Sequence, residues 1–264
     1  MTSWPLLRAE RTLYEDATSL VLDKPVGISV TGERHDTDLV RMAAAEGEDL
    51  APAHRIDKVT SGVVLFAKSM AAHAVLTRQF QQRSVDKAYL AITRSTDLPE
   101  AGVIDLPLSV GRKSRVRIAA QREDIIHDEA AGRWTVPEDR VRPDVRNYPS
   151  VTTFRRLWAD DDHALVLVAP LTGRRHQIRV HLAWIGHPIA GDPLFDRTGS
   201  LPRTALHAWR LGFDAVETPE RVDVEARPGA DFWEPLATIE PDADALMAMA
   251  DDQLTELMRL AAGS

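Results

Sequence analysis

The 264-residue sequence contains no cysteine, only five lysines and three tyrosines, and no apolar run longer than six residues. The absence of cysteine excludes disulfide frameworks, cysteine-based zinc or iron–sulfur sites and thiol nucleophiles. A membrane helix needs about 20 apolar residues, and residues 1–10 lack the apolar stretch of a signal peptide. We therefore expect a soluble, cytoplasmic protein with no membrane partner.

The formal net charge of −8 by itself argues against a nucleic-acid partner. The charge is unevenly distributed, because residues 214–264 hold 13 acidic and 3 basic side chains. From His54 to Phe213, 24 basic residues face 17 acidic ones. The middle of the chain is therefore basic, and an RNA partner remains compatible with the acidic total.

Hydrophobic periodicity predicts more strands than helices, in an order that does not alternate regularly. Helices are expected at 38–45, 69–83, 177–185 and about 242–260, and strands at 19–23, 62–67, 88–93, 116–119, 151–154, 164–168, 205–213 and 221–225. This pattern favours an α+β fold with a largely antiparallel mixed sheet flanked by helices.

Two segments lie outside this pattern. Residues 121–148 are charged and lack apolar periodicity, which predicts an exposed insertion or mobile loop, either a solvated excursion or a contact with a large substrate. Residues 215–264 form an acidic C-terminal extension whose amphipathic helix is expected to pack on the same domain. Residues 1–214 are expected to form the main domain.

The stretch from His54 to Gly62 concentrates polar groups immediately before an apolar strand. An ordinary loop with an Asx or Ser/Thr turn also explains such a stretch. Ser61 is not in a Gly-x-Ser-x-Gly elbow, which gives little support to a serine hydrolase. His54 and Asp57 lack neighbours that would complete a metal site, so we expect no metal.

Two other stretches carry possible functional groups. Lys87-Ala-Tyr-Leu-Ala91 places a tyrosine on a predicted strand, where packing is the ordinary explanation. Leu171-Thr-Gly-Arg-Arg-His-Gln-Ile-Arg-Val-His181 gathers donors at a glycine turn that enters a helix, which suits an anion or a polyanionic backbone.

Together these stretches resemble a known family. His54-Arg-Ile-Asp-Lys-Val-Thr-Ser-Gly-Val-Val-Leu-Phe-Ala-Lys68 resembles the catalytic signature of the RluA family of RNA pseudouridine synthases. Three further motifs occur in the expected order: Asp23-Lys-Pro-Val-Gly27, Lys87 to Ala91, and Leu171 to His181 followed by Gly186-His-Pro-Ile-Ala-Gly-Asp-Pro193. The similarity covers about residues 15 to 214 and implies the pseudouridine synthase catalytic fold.

The resemblance also implies an activity and a set of site residues. The expected reaction is isomerisation of a uridine in tRNA or large-subunit rRNA, with a flipped-out base and no cofactor. Asp57, Tyr89 and Arg179 are the expected catalytic residues, with Arg179 as the guanidinium that favours the ionised form of Asp57. The expected substrate-binding residues are Arg55, Thr60, Arg174, His176 and Gln177.

The sequence departs from the family in its long 121–148 insertion, in Ser150-Val-Thr152, and in having about 15 residues where many members carry a small RNA-binding appendage. Two other functions stay open: a non-catalytic RNA-binding or ribosome-assembly protein, and a metal-dependent nucleic-acid hydrolase using His54, Asp57, His176 and Asp192. We expect a monomer without an obligate protein partner.

Overall fold

The structure is a computed structural model that describes residues 3–32, 37–94, 97–111, 115–198, 201–236 and 242–263. Within these ranges the chain forms five α-helices: α1 (Trp4–Arg11), α2 (Leu39–Ala45), α3 (Met70–Gln82), α4 (Gln177–Trp184) and α5 (Ala243–Ala262). The strands are β1 (Thr12–Glu15), β2 (Ser19–Lys24), β3 (Ala51–Pro52), β4 (Ser61–Ala67), β5 (Asp86–Arg94), β6 (Ala101–Asp105), β7 (Leu108–Val110), β8 (Val116–Ile118), β9 (Ile126–Asp128), β10 (Arg133–Thr135), β11 (Asn147–Tyr148), β12 (Val151–Ala159), β13 (His163–Pro170), β14 (Leu206–Asp214) and β15 (Arg221–Glu225).

The chain divides into two compact units, each made of two segments. Unit 1 comprises residues 1–87 and 206–229, and unit 2 comprises residues 88–205 and 230–264. The predicted boundary after residue 214 thus falls within the second segment of unit 1. The assignment of catalysis to residues 1–214 stays a prediction.

Unit 1 is built on a sheet whose central strand, β4, is buried at every position. The strand order is β1-β2-β4-β14, with β15 beside β14 and β3 beside β4. The strands pair antiparallel, except that β4 and β14 run parallel. Helix α3 packs on β4 and β14. The core between them contains Val63, Leu65, Leu76 and Phe213, each at most 1% exposed.

Unit 2 contains the sheet β5-β13-β12-β6-β10-β9 and a small antiparallel sheet, β11-β7-β8. Antiparallel pairing again predominates, with β6 and β10 parallel. Helix α4 contacts β8, β12 and β13, and α5 packs on β12 and β13. The predicted α+β class, with a largely antiparallel sheet and flanking helices, is confirmed.

Local signals at the helix ends agree with the sequence. The Ser69 hydroxyl accepts a hydrogen bond from the Ala72 N–H at 3.1 Å and caps α3, at the predicted start of this helix. The Asp38 carboxylate caps α2 in the same way, accepting from the Arg41 N–H at 3.0 Å.

Residues 121–148, predicted as an exposed insertion or mobile loop, are mostly exposed but contain regular structure. The segment contains β9, β10 and β11, and β10 pairs with β6 through Arg133 and Trp134. Trp134 is buried and stacks on His127 with a 3.9 Å separation of ring centroids. These short strands form because β10 pairs with β6 and because Trp134 is buried. Neither contact produces a hydrophobic periodicity in the sequence, so the strands could not be predicted from it.

The acidic extension ends in a helix that is apolar on one side. Helix α5 buries Leu246, Met247, Ala250, Leu257 and Ala261, and this spacing forms one helical stripe. Its acidic side chains Asp244, Asp251 and Asp252 are exposed. The negative charge therefore lies on the outer face of a helix that packs on unit 2. Among the described helices, none combines the length and apolar content that crossing a bilayer requires.

Candidate active site

In unit 1, Asp57 lies half-buried in a tight turn that precedes β4. The Thr60 N–H donates to the Asp57 carbonyl oxygen at 3.0 Å and closes this turn. The Gly27 N–H donates to the Lys58 carbonyl oxygen at 2.8 Å, which ties the turn after β2 to the one that carries Asp57. Arg55 is exposed, whereas Thr60 is 2% exposed.

Lys24 stabilises the turn after β2, which contacts the turn of Asp57. This role was not identified from the sequence. Its side chain is fully buried, and its ammonium donates to the carbonyl oxygens of Pro25 and Ile28, both at 2.8 Å. A buried ammonium is costly unless acceptors surround it, so these carbonyl groups fix the course of the 24–28 turn.

The Ser61-Gly62 pair that follows the turn joins β4 closely to β14. A side chain at Gly62 would place its Cβ 2.1 Å from the Ala208 carbonyl oxygen, and the glycine φ is +106°. The Ser61 hydroxyl lies 2.7 Å from His207 Nδ1, while His207 Nε2 lies 2.7 Å from the Ala226 carbonyl oxygen. These residues therefore anchor the start of β4, immediately after Asp57.

His54 has a structural role in this turn. Its Nε2 accepts a hydrogen bond from the Leu65 N–H at 3.1 Å, and its ring stacks on Phe80 with centroids 4.8 Å apart. Burial, together with the charge of Lys87, lowers the pKa of His54 to about 3. The ring is therefore neutral at physiological pH.

In unit 2, Tyr89 lies on β5, where it pairs with Val168 of β13 and is half-buried. Its neighbours Ala88 and Leu90 are buried, so the alternation of the strand directs Tyr89 away from the face that these two residues occupy.

Arg179 lies on α4 and is held by a carboxylate that was not assigned this role from the sequence. Asp192 accepts from Arg179 Nε at 2.7 Å and from Nη2 at 2.8 Å, and the two residues are 1% and 3% exposed. This bidentate pairing fixes the guanidinium plane. Asp192 belongs to the Gly-Asp-Pro motif, which was visible in the sequence. Its ion pair with Arg179 could not be predicted, because the two residues are 13 positions apart.

Gln177 begins α4 and is 3% exposed. Its Oε1 accepts from the Thr172 hydroxyl at 2.6 Å and the Arg174 N–H at 3.1 Å. Its Nε2 donates to the Val151 carbonyl oxygen at 2.8 Å and the Thr152 hydroxyl at 3.0 Å. These four bonds use the full capacity of the amide. Gln177 therefore positions the 172–174 loop, and the substrate contact predicted for it stays a prediction.

The same hydrogen-bond network reaches His181 through Thr152. The Thr152 hydroxyl lies 2.9 Å from His181 Nδ1, and His181 Nε2 lies 3.0 Å from the Leu106 carbonyl oxygen. Burial lowers the pKa of His181 to about 4, against the raising effects of the Leu106 hydrogen bond and the Asp105 charge. Its neutral ring can accept from Thr152 and donate to Leu106.

The residues before α4 combine unusual backbone geometry with exposed charge. His176 adopts a left-handed conformation with φ of 55°, which is uncommon outside glycine and often marks functional sites. The Arg174 guanidinium lies 5.2 Å from the ring centroid of Tyr148, and Arg146 lies 5.1 Å from the same centroid. Arg146 and Tyr148 of the insertion thus form an Arg–Tyr–Arg cluster with Arg174 of the 171–181 motif.

The hypothesis of a metal-dependent hydrolase gains no support from this geometry. Among the described residues, no group of three or more histidines or carboxylates is arranged to hold a metal ion. Asp192 is occupied by Arg179 and by the Leu194 N–H, and His54 Nε2 is occupied by Leu65.

Replacing Asp192 tests its role as the positioning partner of Arg179. Asp192→Asn removes the charge from a buried bidentate pair, and we expect the free energy of unfolding to fall by about 3 kcal/mol or more. Urea denaturation followed by circular dichroism measures this change. Glu256→Gln, which affects the exposed Arg259 pair, is the control and should cost under about 1 kcal/mol. Equal effects of the two substitutions would contradict the assignment.

The low pKa of His54 predicts that stability depends on pH. Below about pH 6.5 the unfolded chain binds a proton at this residue, whereas the native chain binds it only near pH 3. The free energy of unfolding should therefore fall with decreasing pH, by up to about 1.4 kcal/mol per pH unit from this residue. His54→Gln keeps an acceptor without a titrating ring, so urea titrations between pH 4 and 7.5 should show a smaller slope. An unchanged slope would show that His54 is protonated in the native state.

Comparison with known proteins identifies the family. The model of the RNA pseudouridylate synthase family matches residues 18–184, which include Asp57, Tyr89 and Arg179. A ribosomal large subunit pseudouridine synthase D from Nitrosomonas europaea is 34% identical over 220 residues, which cover 76% of this chain and 57% of that protein. The dual-specificity RNA pseudouridine synthase RluA from Escherichia coli is 32% identical over 206 residues, covering 75% and 84% of the two chains.

A solved structure agrees with the sequence comparisons. The structure of the human protein RNA pseudouridylate synthase domain containing 4 superposes on this chain with a TM-score of 0.71 and 25% sequence identity. The superposition covers 90% of this chain and 97% of the human chain. The chain spans little more than half the length of the Nitrosomonas relative. The fold, the ordered motifs and the family match agree, and the chain belongs to the RNA pseudouridylate synthase family, with relatives of the RluA type.

Proposed function

We propose that this protein isomerises a uridine in tRNA or large-subunit rRNA to pseudouridine. The observation that carries the proposal is the placement of Asp57 on a turn anchored by Thr60, Gly27 and the Gly62–Ala208 contact, within a motif that matches the family. The names of the relatives, which include a large-subunit rRNA synthase and a dual-specificity RNA synthase, support these two RNA classes.

The proposed reaction rearranges one nucleotide. The bond between uracil N1 and ribose C1′ breaks, the uracil rotates, a bond forms between C5 and C1′, and the proton on C5 is lost as N1 gains one. Substrate and product have the same atoms and oxidation state, so the chemistry requires neither a redox partner nor a group donor. We therefore propose that no cofactor takes part. Water must be kept from the sugar, because it would convert isomerisation into hydrolysis.

Asp57 is the proposed reacting carboxylate. Whether it attacks the sugar or removes a proton from it, the group must be ionised. A guanidinium favours that form, and Arg179 is our candidate. The clamp from Asp192 supports this role because it holds Arg179 in one orientation before substrate binds.

Tyr89 and the exposed basic residues are the proposed contacts with the RNA. We propose that Tyr89 stacks on or abuts the flipped-out uracil and that its hydroxyl takes part in the final deprotonation at C5. Arg55 is exposed at the turn of Asp57 and could fill the space that the flipped base vacates or hold a phosphate. Arg174, stacked on Tyr148, and the adjacent His176 suit the phosphate backbone. Thr60 supports the Asp57 turn through its backbone.

Asp57→Asn should abolish pseudouridine formation and leave the fold and RNA binding largely intact, because it removes one charge from a half-buried position. Carbodiimide-based detection of pseudouridine on bulk unmodified RNA measures the activity, and circular dichroism checks the fold. Full activity of the variant would refute the catalytic assignment and would favour the non-catalytic RNA-binding alternative.

Tyr89→Phe separates the hydroxyl from the ring. If the hydroxyl acts in deprotonation, single-turnover rates at saturating RNA should fall at least tenfold while the RNA dissociation constant changes less than twofold. Both quantities can be measured on one RNA preparation by pseudouridine detection and filter binding. An unchanged rate would assign Tyr89 to stacking alone.

Other parts of the proposal concern the setting in which the protein works. We propose that it acts in the cytoplasm as a monomer with RNA as its partner and no obligate protein partner. Residues 1–214 would carry the catalytic machinery, and residues 215–264 would serve as an accessory extension. Sedimentation with and without RNA tests the oligomeric state.

A further inference from the structure

Unit 2 contains a cavity of about 720 Å³ to which none of the proposed catalytic residues contributes. Its walls come from the insertion, from the end of α4 and from the 194–198 loop. The residues that give it chemical character are Arg94, Arg122, Trp184, Phe195, Asp196 and Arg197. Its volume lies within the range typical of small-molecule sites.

The charged groups of the cavity favour an anion. The Arg197 side chain is exposed and has no hydrogen-bond or carboxylate partner among the described residues. The Arg122 guanidinium donates to the Ala183 carbonyl oxygen at 3.1 Å. The single carboxylate, Asp196, accepts from Arg94 Nε at 3.0 Å, from the Gly191 N–H at 2.8 Å and from Thr198. The cavity lining thus carries three guanidinium groups and one carboxylate, which Arg94 neutralises.

Burial acts to raise the pKa of Asp196, but the hydrogen bonds from Thr198, Gly191 and Arg94 outweigh this effect and hold the pKa below its usual range. The carboxylate therefore remains ionised and engaged with Arg94. It does not draw Arg197 or Arg122 away from the cavity.

The aromatic groups give the cavity flat apolar surfaces. Trp184 is half-buried, so part of its indole is accessible, and the Arg122 guanidinium lies 5.5 Å from its ring centroid. Phe195 lines the cavity, and the Arg179 guanidinium lies 5.7 Å from its ring centroid. The cavity thus adjoins the proposed catalytic arginine through one side chain.

We infer that this cavity binds a second nucleotide of the RNA substrate, near the target uridine, with its base on Trp184 or Phe195 and its phosphate between Arg122 and Arg197. Base stacking on aromatic rings combined with arginine–phosphate contacts is how proteins hold single-stranded nucleic acid. This inference rests on the proposed function and gives the insertion a role, since Arg122 is one of its residues.

The test measures the affinity of a fluorescein-labelled ten-residue oligouridylate by anisotropy between 50 and 300 mM salt. The logarithm of the association constant falls linearly as the logarithm of the salt concentration rises. Loss of one phosphate contact should make this slope less steep by about 0.7 and weaken binding about fivefold at 0.1 M salt. We expect this result for Arg197→Ala. Arg259→Ala removes the same charge from the acidic helix α5 and should leave both values unchanged.

Trp184 variants test the stacking surface. Trp184→Ala should weaken binding about fivefold or more with an unchanged salt slope, and Trp184→Phe, which keeps an aromatic face, should bind within about twofold of wild type. Circular dichroism establishes that each variant is folded. If Trp184→Ala does not fold, Arg197→Ala against wild type still decides whether the cavity binds the oligonucleotide.

The outcomes separate this inference from the proposed function. Wild-type affinity and slope in Arg197→Ala would overturn the cavity assignment, even if wild-type enzyme forms pseudouridine. Absence of pseudouridine from wild-type reactions on bulk RNA would overturn the proposed function, and it is read in a separate assay. For Arg197→Ala and Trp184→Ala we expect weaker binding of the oligouridylate. Their single-turnover rates at saturating bulk RNA should equal that of the wild type.

Discussion

The buried ion pair between Arg179 and Asp192 organises much of unit 2. Removing two charges from water costs several kcal/mol per ion, and two short charge-assisted hydrogen bonds offset that cost only while the geometry is kept. Asp192 also accepts from the Leu194 N–H, so the carboxylate that orients the Arg179 guanidinium also holds the start of the loop that follows. That loop brings Phe195 to the face of Arg179 and Asp196 to Arg94. One buried charge thus links the proposed catalytic arginine to the neighbouring cavity.

In unit 1, the turn of Asp57 is held in place by close packing, whereas in unit 2 Arg179 is held by an ion pair. The approach of β4 to β14 leaves no space for a side chain at Gly62, and Ser61 reaches His207 on the facing strand. The turn that carries Asp57 is therefore attached to a sheet that cannot shift without breaking buried contacts. A reacting carboxylate needs such support, because a small displacement of the reacting groups lowers the rate strongly.

The sequence was most informative where structure is local and least informative where it depends on distant partners. Helix α3 and its Ser69 cap could be predicted because the signal lies within a few residues. Helix α1 was missed although Pro5 in its first turn and the buried Trp4 and Leu7 were visible signals. The positioning role of Gln177 depends on Thr152, 25 residues away, and that of Ser61 on His207, 146 residues away. Hydrophobic periodicity in a single sequence does not reveal hydrogen bonds between distant residues. The ordered motifs, in contrast, indicate the chemistry of the site directly.

The acidic total also needs a structural explanation, since RNA is a polyanion. Interactions between exposed charges are largely screened beyond about 8 Å at physiological ionic strength, so net charge matters less than the charges near the bound RNA. Helix α5 turns its apolar stripe toward β12 and β13 and exposes Asp251 and Asp252 on the opposite face. Several exposed arginines, among them Arg122, Arg146 and Arg174, lie on the insertion and beside α4. The acidic total is therefore compatible with the proposed RNA partner.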